Sequence, residues 1–434
     1  MDDRDPGTMT RRQAIATLGA LALPFDLAGA GDGDRGMDPL PSADAHLPTA
    51  DGPDLGNLYG TIDWIARESA PSLSFLDPRW RSLEAWKTAA RDALHRALAF
   101  DPDPDPVRGE TVGREEREGF SVETVRIHAS PAYVIPARVL VPSGRRGRLP
   151  AVVALHCHGG QYEWGAAKLV SSPDDPPALV DYRQRLYGGR AIAEEMARRG
   201  FVVIAIDAFY FGERRLRPDI LPAETVPADA RDAFRSLATL AEGTREGNAA
   251  RNRVAGAYEA VVAKTLLAAG ASWPGVLAWD DRRTIDYLGT RAEVDPARIG
   301  CVGLSGGGLR AAMLGAADPR VRAACVAAWM TSLSGLLPSH ARRHTWMAYT
   351  PGLRRSLDLP DAAALVAPGA LLVQQASRDT LFPMSGMRSA VDRVAAIYAK
   401  AGIAERFRGT FHDAPHSFTP AMQEEAFAWL ERWL

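Results

Sequence analysis

Five short runs in this sequence are apolar at nearly every position: Ala151–Leu155, Phe201–Ile206, Ile299–Val302, Ala323–Ala328 and Ala370–Val373. A strand with one face in water alternates polar and apolar residues, whereas a strand apolar throughout has both faces covered. Helical segments separate these runs at Gly189–Arg199, Asp281–Leu288 and Ser389–Lys400, and Ala421–Leu434 closes the chain. Strands alternating with helices predict a doubly wound α/β fold, a mostly parallel sheet with helices on both faces. Upstream the pattern differs. Phe120–His128 alternates like an antiparallel strand, and Tyr133–Val141 reads as its neighbour. Trp80, Leu83, Trp86, Ala90, Leu94 and Leu98 recur at helical spacing within Pro78–Phe100. The alternating Asp and Pro of Asp101–Pro106 cannot continue that helix.

The chain has 434 residues, ample for one large domain, and a formal net charge of −2, which argues against a nucleic-acid partner. Its first segment stands apart. Thr10-Arg11-Arg12-Gln13 leads into a mildly apolar run, Ala14–Ala22, and then Ala28-Gly29-Ala30, with Asp26 a departure. This order resembles a twin-arginine export signal over residues 1–30. The run is too short and too weakly apolar to span a bilayer, so no stable membrane insertion is expected after signal removal. Residues 31–56, rich in Gly, Asp and Pro, read as a flexible linker. Residues 57–434 read as one domain, with a helical and β extension at 57–150 and a lid-like insertion at about 212–279. A second long connection runs from Thr331 to Pro368. Cys157, Cys301 and Cys325 each lie in or beside a core run and read as small buried hydrophobes rather than a disulfide framework.

The chemistry concentrates at Gly303-Leu304-Ser305-Gly306-Gly307. It fits the G-x-S-x-G elbow, lying between a strand that ends at Val302 and the helix predicted from Leu309. Glycines flank the serine because the turn is tight. Such a turn presents Ser305 Oγ at the carboxyl end of the sheet and places the Gly306 N–H to stabilise an oxyanion. A serine nucleophile needs a base. His416 lies in Pro415-His-Ser-Phe418, before the last helix, with His412 its rival in the same loop. The imidazole needs an orienting carboxylate, and Asp379 is the acid close after the strand Ala370–Val373. The order Ser305, Asp379, His416 is that expected of a hydrolase triad on this fold.

Other residues carry weaker signals. His156-Cys-His-Gly-Gly160 follows the first parallel strand, and its turn would supply a second oxyanion N–H, with Gly160 preferred and Gly159 and Gln161 open. His156 and His158 lack the partner set of a metal site, and no metal or cofactor is expected. His340 and His344 share i, i+4 spacing, which a surface or lid helix explains. Asp207 ends a strand in Asp207-Ala-Phe-Tyr-Phe-Gly-Glu-Arg214; either it or Glu213 pairs with Arg214 or Arg215 to fix the loop, or Asp207 touches substrate. Trp164, Trp273, Trp329, Trp346 and Tyr349 lie in or beside loops expected to ring the pocket, as core residues or as an aromatic wall.

Together, His-Gly-Gly, Asp-x-x-x-Phe-Gly-Glu-Arg, Gly-Leu-Ser-Gly-Gly-Gly, the Asp379 loop and Pro-His-Ser-Phe resemble the dienelactone-hydrolase and acetyl-xylan-esterase branch of the α/β-hydrolases over residues 60–434. Dienelactone hydrolases use a cysteine where Ser305 stands, and the serine shifts the implied chemistry toward carboxylic esters. The export signal implies a secreted or periplasmic protein, and the family resemblance implies an enzyme acting on small-molecule or carbohydrate esters. A prolyl-oligopeptidase-type peptidase shares the fold but usually carries a large propeller, for which 57–150 is too short. A non-catalytic binding protein on this fold usually lacks a triad member, and none is missing here.

Overall fold

The computed structural model describes residues 52–434. Arg11, Arg12 and the Ala28–Ala30 segment lie outside the described residues, as does most of the 31–56 stretch. Nine strands form one sheet: β1 (Arg108–Arg117), β2 (Phe120–Ser130), β3 (Tyr133–Pro142), β4 (Leu149–Leu155), β5 (Val202–Ile206), β6 (Val294–Leu304), β7 (Val321–Ala327), β8 (Ala370–Ala376) and β9 (Phe407–His412). Their order is β1-β2-β3-β5-β4-β6-β7-β8-β9. The sheet is parallel from β5 through β9 and antiparallel across β1-β2-β3-β5. This is the doubly wound α/β-hydrolase architecture.

The apolar runs are explained by the two helical layers. Along β4, Val153 and Leu155 point into one core with helices Leu83–Leu98, Trp273–Thr290, Gly306–Ala317 and Met384–Lys400. Val152 and Ala154 point into the other, with helices Pro177–Tyr187, Ile192–Arg198 and Pro420–Trp433. Successive strand residues face opposite layers, so both periods of the pleat must be apolar. Cys157, Cys301 and Cys325 are buried and free.

Three elements escaped the sequence reading. Strand β1, Arg-Gly-Glu-Thr-Val-Gly-Arg-Glu-Glu-Arg, is exposed almost throughout and lacks an apolar face. It is a charged edge, which discourages pairing with another chain. Helices Tyr59–Glu68 and Pro177–Tyr187 have no counterpart among the predicted helices. Between Phe211 and Trp273 the chain is helical only, dominated by Arg245–Ala268, whose start Thr244 caps by accepting the Gly247 N–H. The expected insertion end near residue 279 falls inside helix Trp273–Thr290, because Trp273 and Leu277 pack with Tyr210, Val254 and Tyr258 in a third apolar cluster. No single helix among the described residues is long and apolar enough to cross a membrane.

Candidate active site

Strand β6 ends at Leu304, and Ser305 follows with φ 56° and ψ −121° before helix Gly306–Ala317 begins. Positive φ on a residue with a Cβ costs on the order of 1–3 kcal/mol and persists only where the surroundings enforce it. Here they do. The Ser305 N–H donates to Ala327 O at 2.8 Å, and the Ser305 carbonyl accepts from Leu309 N at 2.8 Å. A Cβ at Gly303 would fall 2.3 Å from the Gly307 backbone, and one at Gly307 would fall 2.0 Å from Leu155 O. These approaches account for the glycines of the elbow. They also set Ser305 at a helix N-terminus, where the field favours negative charge.

His416 Nδ1–H donates to Asp379 Oδ2 at 2.6 Å. The Asp379 carboxylate is fully buried, and its Oδ1 accepts the Leu381 N–H at 2.8 Å. His412 faces elsewhere: its Nε2 lies 3.0 Å from Glu425 Oε2 and 3.1 Å from Thr410 Oγ1. Ser305 and His416 line one cavity of about 480 Å³, together with Gly159, Gly160, Gly306 and Trp329. That volume falls in the range of small-molecule sites. Among the described residues, Ser305 Oγ has no closed hydrogen bond to His416; in unliganded sites such bonds are often long and tighten on binding.

The turn after β4 is held from several sides. Gly159 and Gly160 have φ of +57° and +68°, and a Cβ at Gly159 would fall 2.6 Å from Tyr182 Oη. The Gly160 N–H donates to His158 Nδ1 at 3.0 Å, and the Gln161 N–H donates to His158 O at 3.1 Å. The preferred donor, Gly160, therefore already has a partner. The N–H groups of Gly159 and Gly306 have none among the described residues. His158 Nε2 lies 2.8 Å from Glu259 Oε1, which also accepts from Tyr162 Oη and Thr345 Oγ1, each at 2.8 Å. Burial alone would raise the Glu259 pKa, but the His158, Tyr162 and Thr345 donors outweigh it and hold the carboxyl below its ordinary value. His156 is buried with Nδ1 against Cys157 O and Nε2 accepting the Ala208 N–H. Burial, then the charges of Lys168 and Arg310, push its pKa well down, so it is neutral. Both rings thus have protein partners at both nitrogens.

Several expected contacts are corrected. Of the aromatic candidates, Trp329 alone lines the cavity, edge-on to His344 and Phe382. Trp164 packs on Tyr182, and Trp273 is buried against Tyr210. Trp346 is turned to solvent, and Tyr349 Oη donates to Ala341 O at 2.6 Å. Asp207 does not reach the cavity. Its oxygens accept the N–H groups of Ala166 at 2.7 Å and Glu213 at 2.9 Å, while Arg214 pairs with Asp280 at 2.6 Å. His340 and His344 do not share a helix, because only a single turn, Ala341–Arg343, lies between them. His344 instead enters the cavity wall, where burial lowers its pKa to about 4. Glu259 and Lys168 were missed entirely. A lone Glu within a helix and a lone Lys within a loop give no periodic signal.

A family model described as "Abhydrolase family" matches residues 51–240. YtaP of Bacillus subtilis (strain 168), which carries the name of a hydrolase, is 27% identical over 345 residues, covering 79% of this chain and 98% of that protein. Among solved structures, a Bacteroides fragilis protein described as an acetyl xylan esterase superposes with a TM-score of 0.59 at 18% identity, over 82% of each chain. A glucuronoyl esterase from Solibacter usitatus superposes with a TM-score of 0.52 at 15% identity, over 80% of this chain and 93% of its own. At these identities the two structures establish the fold they share with this chain.

Proposed function

This chain is an α/β-hydrolase, akin in fold to acetyl xylan esterases, and on that premise we propose that it is a serine esterase acting through an acyl-enzyme. The observation that carries the reading is the His416–Asp379 pair at 2.6 Å, opening on the cavity where Ser305 is held at positive φ on a helix N-terminus. In the first step Ser305 Oγ attacks the ester carbonyl while His416 Nε2 takes its proton. Asp379 holds Nδ1–H, which fixes the tautomer and stabilises the imidazolium. The carbonyl oxygen becomes an oxyanion and accepts from the N–H groups of Gly306 and the His158–Gly160 turn. The bond to the leaving oxygen then breaks, His416 returns its proton to the departing alcohol, and the acyl group stays on Ser305. Water repeats the sequence, releasing the acid and restoring the serine.

Carbohydrate esters, acetylated or esterified at a uronic acid, are the substrate class we favour; the named activities of the fold neighbours support it. We assign Trp329, which lines the cavity, to packing against the substrate. Export through the twin-arginine pair Arg11-Arg12 fits an enzyme whose substrates lie outside the cell. A panel of nitrophenyl acyl esters, acetylated xylo-oligosaccharides and methyl uronates tests the reading. Turnover of at least one ester class by wild type, abolished in Ser305→Ala, is expected. Equal rates in both would overturn it.

A further inference from the structure

Lys168 lies in the short turn Ala166–Lys168 and is 0% exposed, a rare fate for a lysine. Among the described residues no carboxylate pairs with it. Its Nζ donates to Cys157 O at 2.7 Å and to His158 O at 3.2 Å. The rings of Phe211 and Tyr182 enclose it, with Nζ 4.5 Å and 5.4 Å from their centroids. His156, Arg310 and Asp207 are the nearby titratable or charged groups, beside the hydroxyls of Tyr182 and Tyr187 and the Cys157 thiol. Leaving a cation in such surroundings is costly, and burial lowers its pKa to about 7. A site that tolerates this cost has a reason to keep the charge there.

The geometry supplies one. The peptide bonds at 157–158 and 158–159 are trans, so each carbonyl points opposite to the N–H that follows it. Lys168 draws the carbonyls of Cys157 and His158 toward itself and so turns the N–H groups of His158 and Gly159 away from it. Gly306 lies beside the His158 amide, since a Cβ on Gly306 would fall 3.2 Å from His158 N. Gly159 and Gly306 both line the cavity beside Ser305.

We propose that Lys168 is a positioning residue that aims the Gly159 amide, as the second oxyanion donor beside Gly306, by gripping the two carbonyls behind it. The inference rests on the serine-esterase reading. In its protonated form Lys168 also polarises those peptide groups and strengthens their N–H donors.

Two measurements test it. The first compares Lys168→Met with wild type for kcat, KM, thermal unfolding, and inhibition by an alkyl boronic acid, which forms an anionic tetrahedral adduct on a serine. Loss of one oxyanion donor typically costs about 10²–10³-fold in kcat. The expected result is a kcat lower by about 10²-fold, a KM changed by less than about threefold, and boronate affinity falling in step with kcat/KM. A Lys168→Met enzyme that unfolds normally yet keeps wild-type kcat and boronate affinity would overturn the proposal. The second needs no variant: a crystal structure of wild type with the boronate. It should show one boronate oxygen within hydrogen-bond reach of both Gly159 N and Gly306 N, with Lys168 Nζ still on the two carbonyls. An oxygen on Gly160 N, or on no amide of this turn, would overturn the proposal while leaving the esterase reading intact. Absence of any adduct on Ser305 would instead overturn the esterase reading itself.

Discussion

His158 and Glu259 meet at 2.8 Å through Nε2 and Oε1, joining the turn after β4 to the insertion helix Arg245–Ala268. Thr345, from the long connection after β7, donates to the same oxygen. One buried carboxylate therefore ties the insertion helix to two segments that wall the cavity. Glu259→Ala would leave the Tyr162, His158 and Thr345 donors without their acceptor. Each buried donor so orphaned costs about 1–3 kcal/mol. A melting temperature lower by several degrees and a kcat/KM lower by about tenfold or more are expected, measured by calorimetry and ester assay. Glu259→Gln, which keeps an acceptor oxygen, should retain more of both.

The two histidines of the last loop separate cleanly by their partners, Asp379 for His416 and Glu425 for His412. His416→Ala should lower kcat by at least about 10⁴-fold, as expected when a triad base is lost. His412→Ala breaks a partly buried contact away from the cavity and should cost less than about fivefold in kcat and about 1 kcal/mol in stability. Steady-state assays of the two variants at one pH are the check. Comparable losses would mean that the Asp379 pair does not mark the base.

Lys168 gives a signed pH dependence. Its folded pKa is lowered to about 7 from an ordinary value of 10.5. Between those values the unfolded chain holds a proton that the folded chain lacks. Folding stability from this group therefore rises as pH increases from 7 toward 10.5, and the penalty is fully present below 7. Denaturant unfolding of wild type and Lys168→Met across pH 7–10 should show the difference shifting toward wild type, by up to about 1.4 kcal/mol per pH unit. A pH-independent difference would place the charge elsewhere.

The parallel core was legible because burial on both faces leaves unbroken apolar runs such as Ala151–Leu155, and the elbow was legible because Gly303 and Gly307 answer backbone approaches near 2 Å. Strand β1 was not, since it is an edge with no covered face. The aromatic candidates stayed open between wall and core for a similar reason. Trp164 and Trp273 carry the same apolar signal whether they face a cavity or a core, and packing around Tyr182 and Tyr210 decided for the core. Glu259 and Lys168 act through contacts across 101 and 11 positions of sequence. Their roles depend on what the fold brings beside them, and a single residue in a sequence carries no trace of that.

The twin-arginine reading has its own test. Changing Arg11 and Arg12 together to lysine keeps the charge but removes the guanidinium pair that such signals present. The variant should accumulate inside the cell while wild type appears in the periplasm or medium, followed by immunoblot of fractions. Equal export of both would remove that role from the segment.

Activation of Ser305 as a nucleophile by the His416–Asp379 pair can be read by treating the folded protein with a fluorophosphonate and locating the adduct by peptide mass spectrometry. One phosphonyl group on Ser305 is predicted, with labelling lost in Ser305→Ala and slowed by about 10³-fold or more in His416→Ala. Wild-type protein that stays unlabelled while folded, or an adduct on any other residue, would contradict the account.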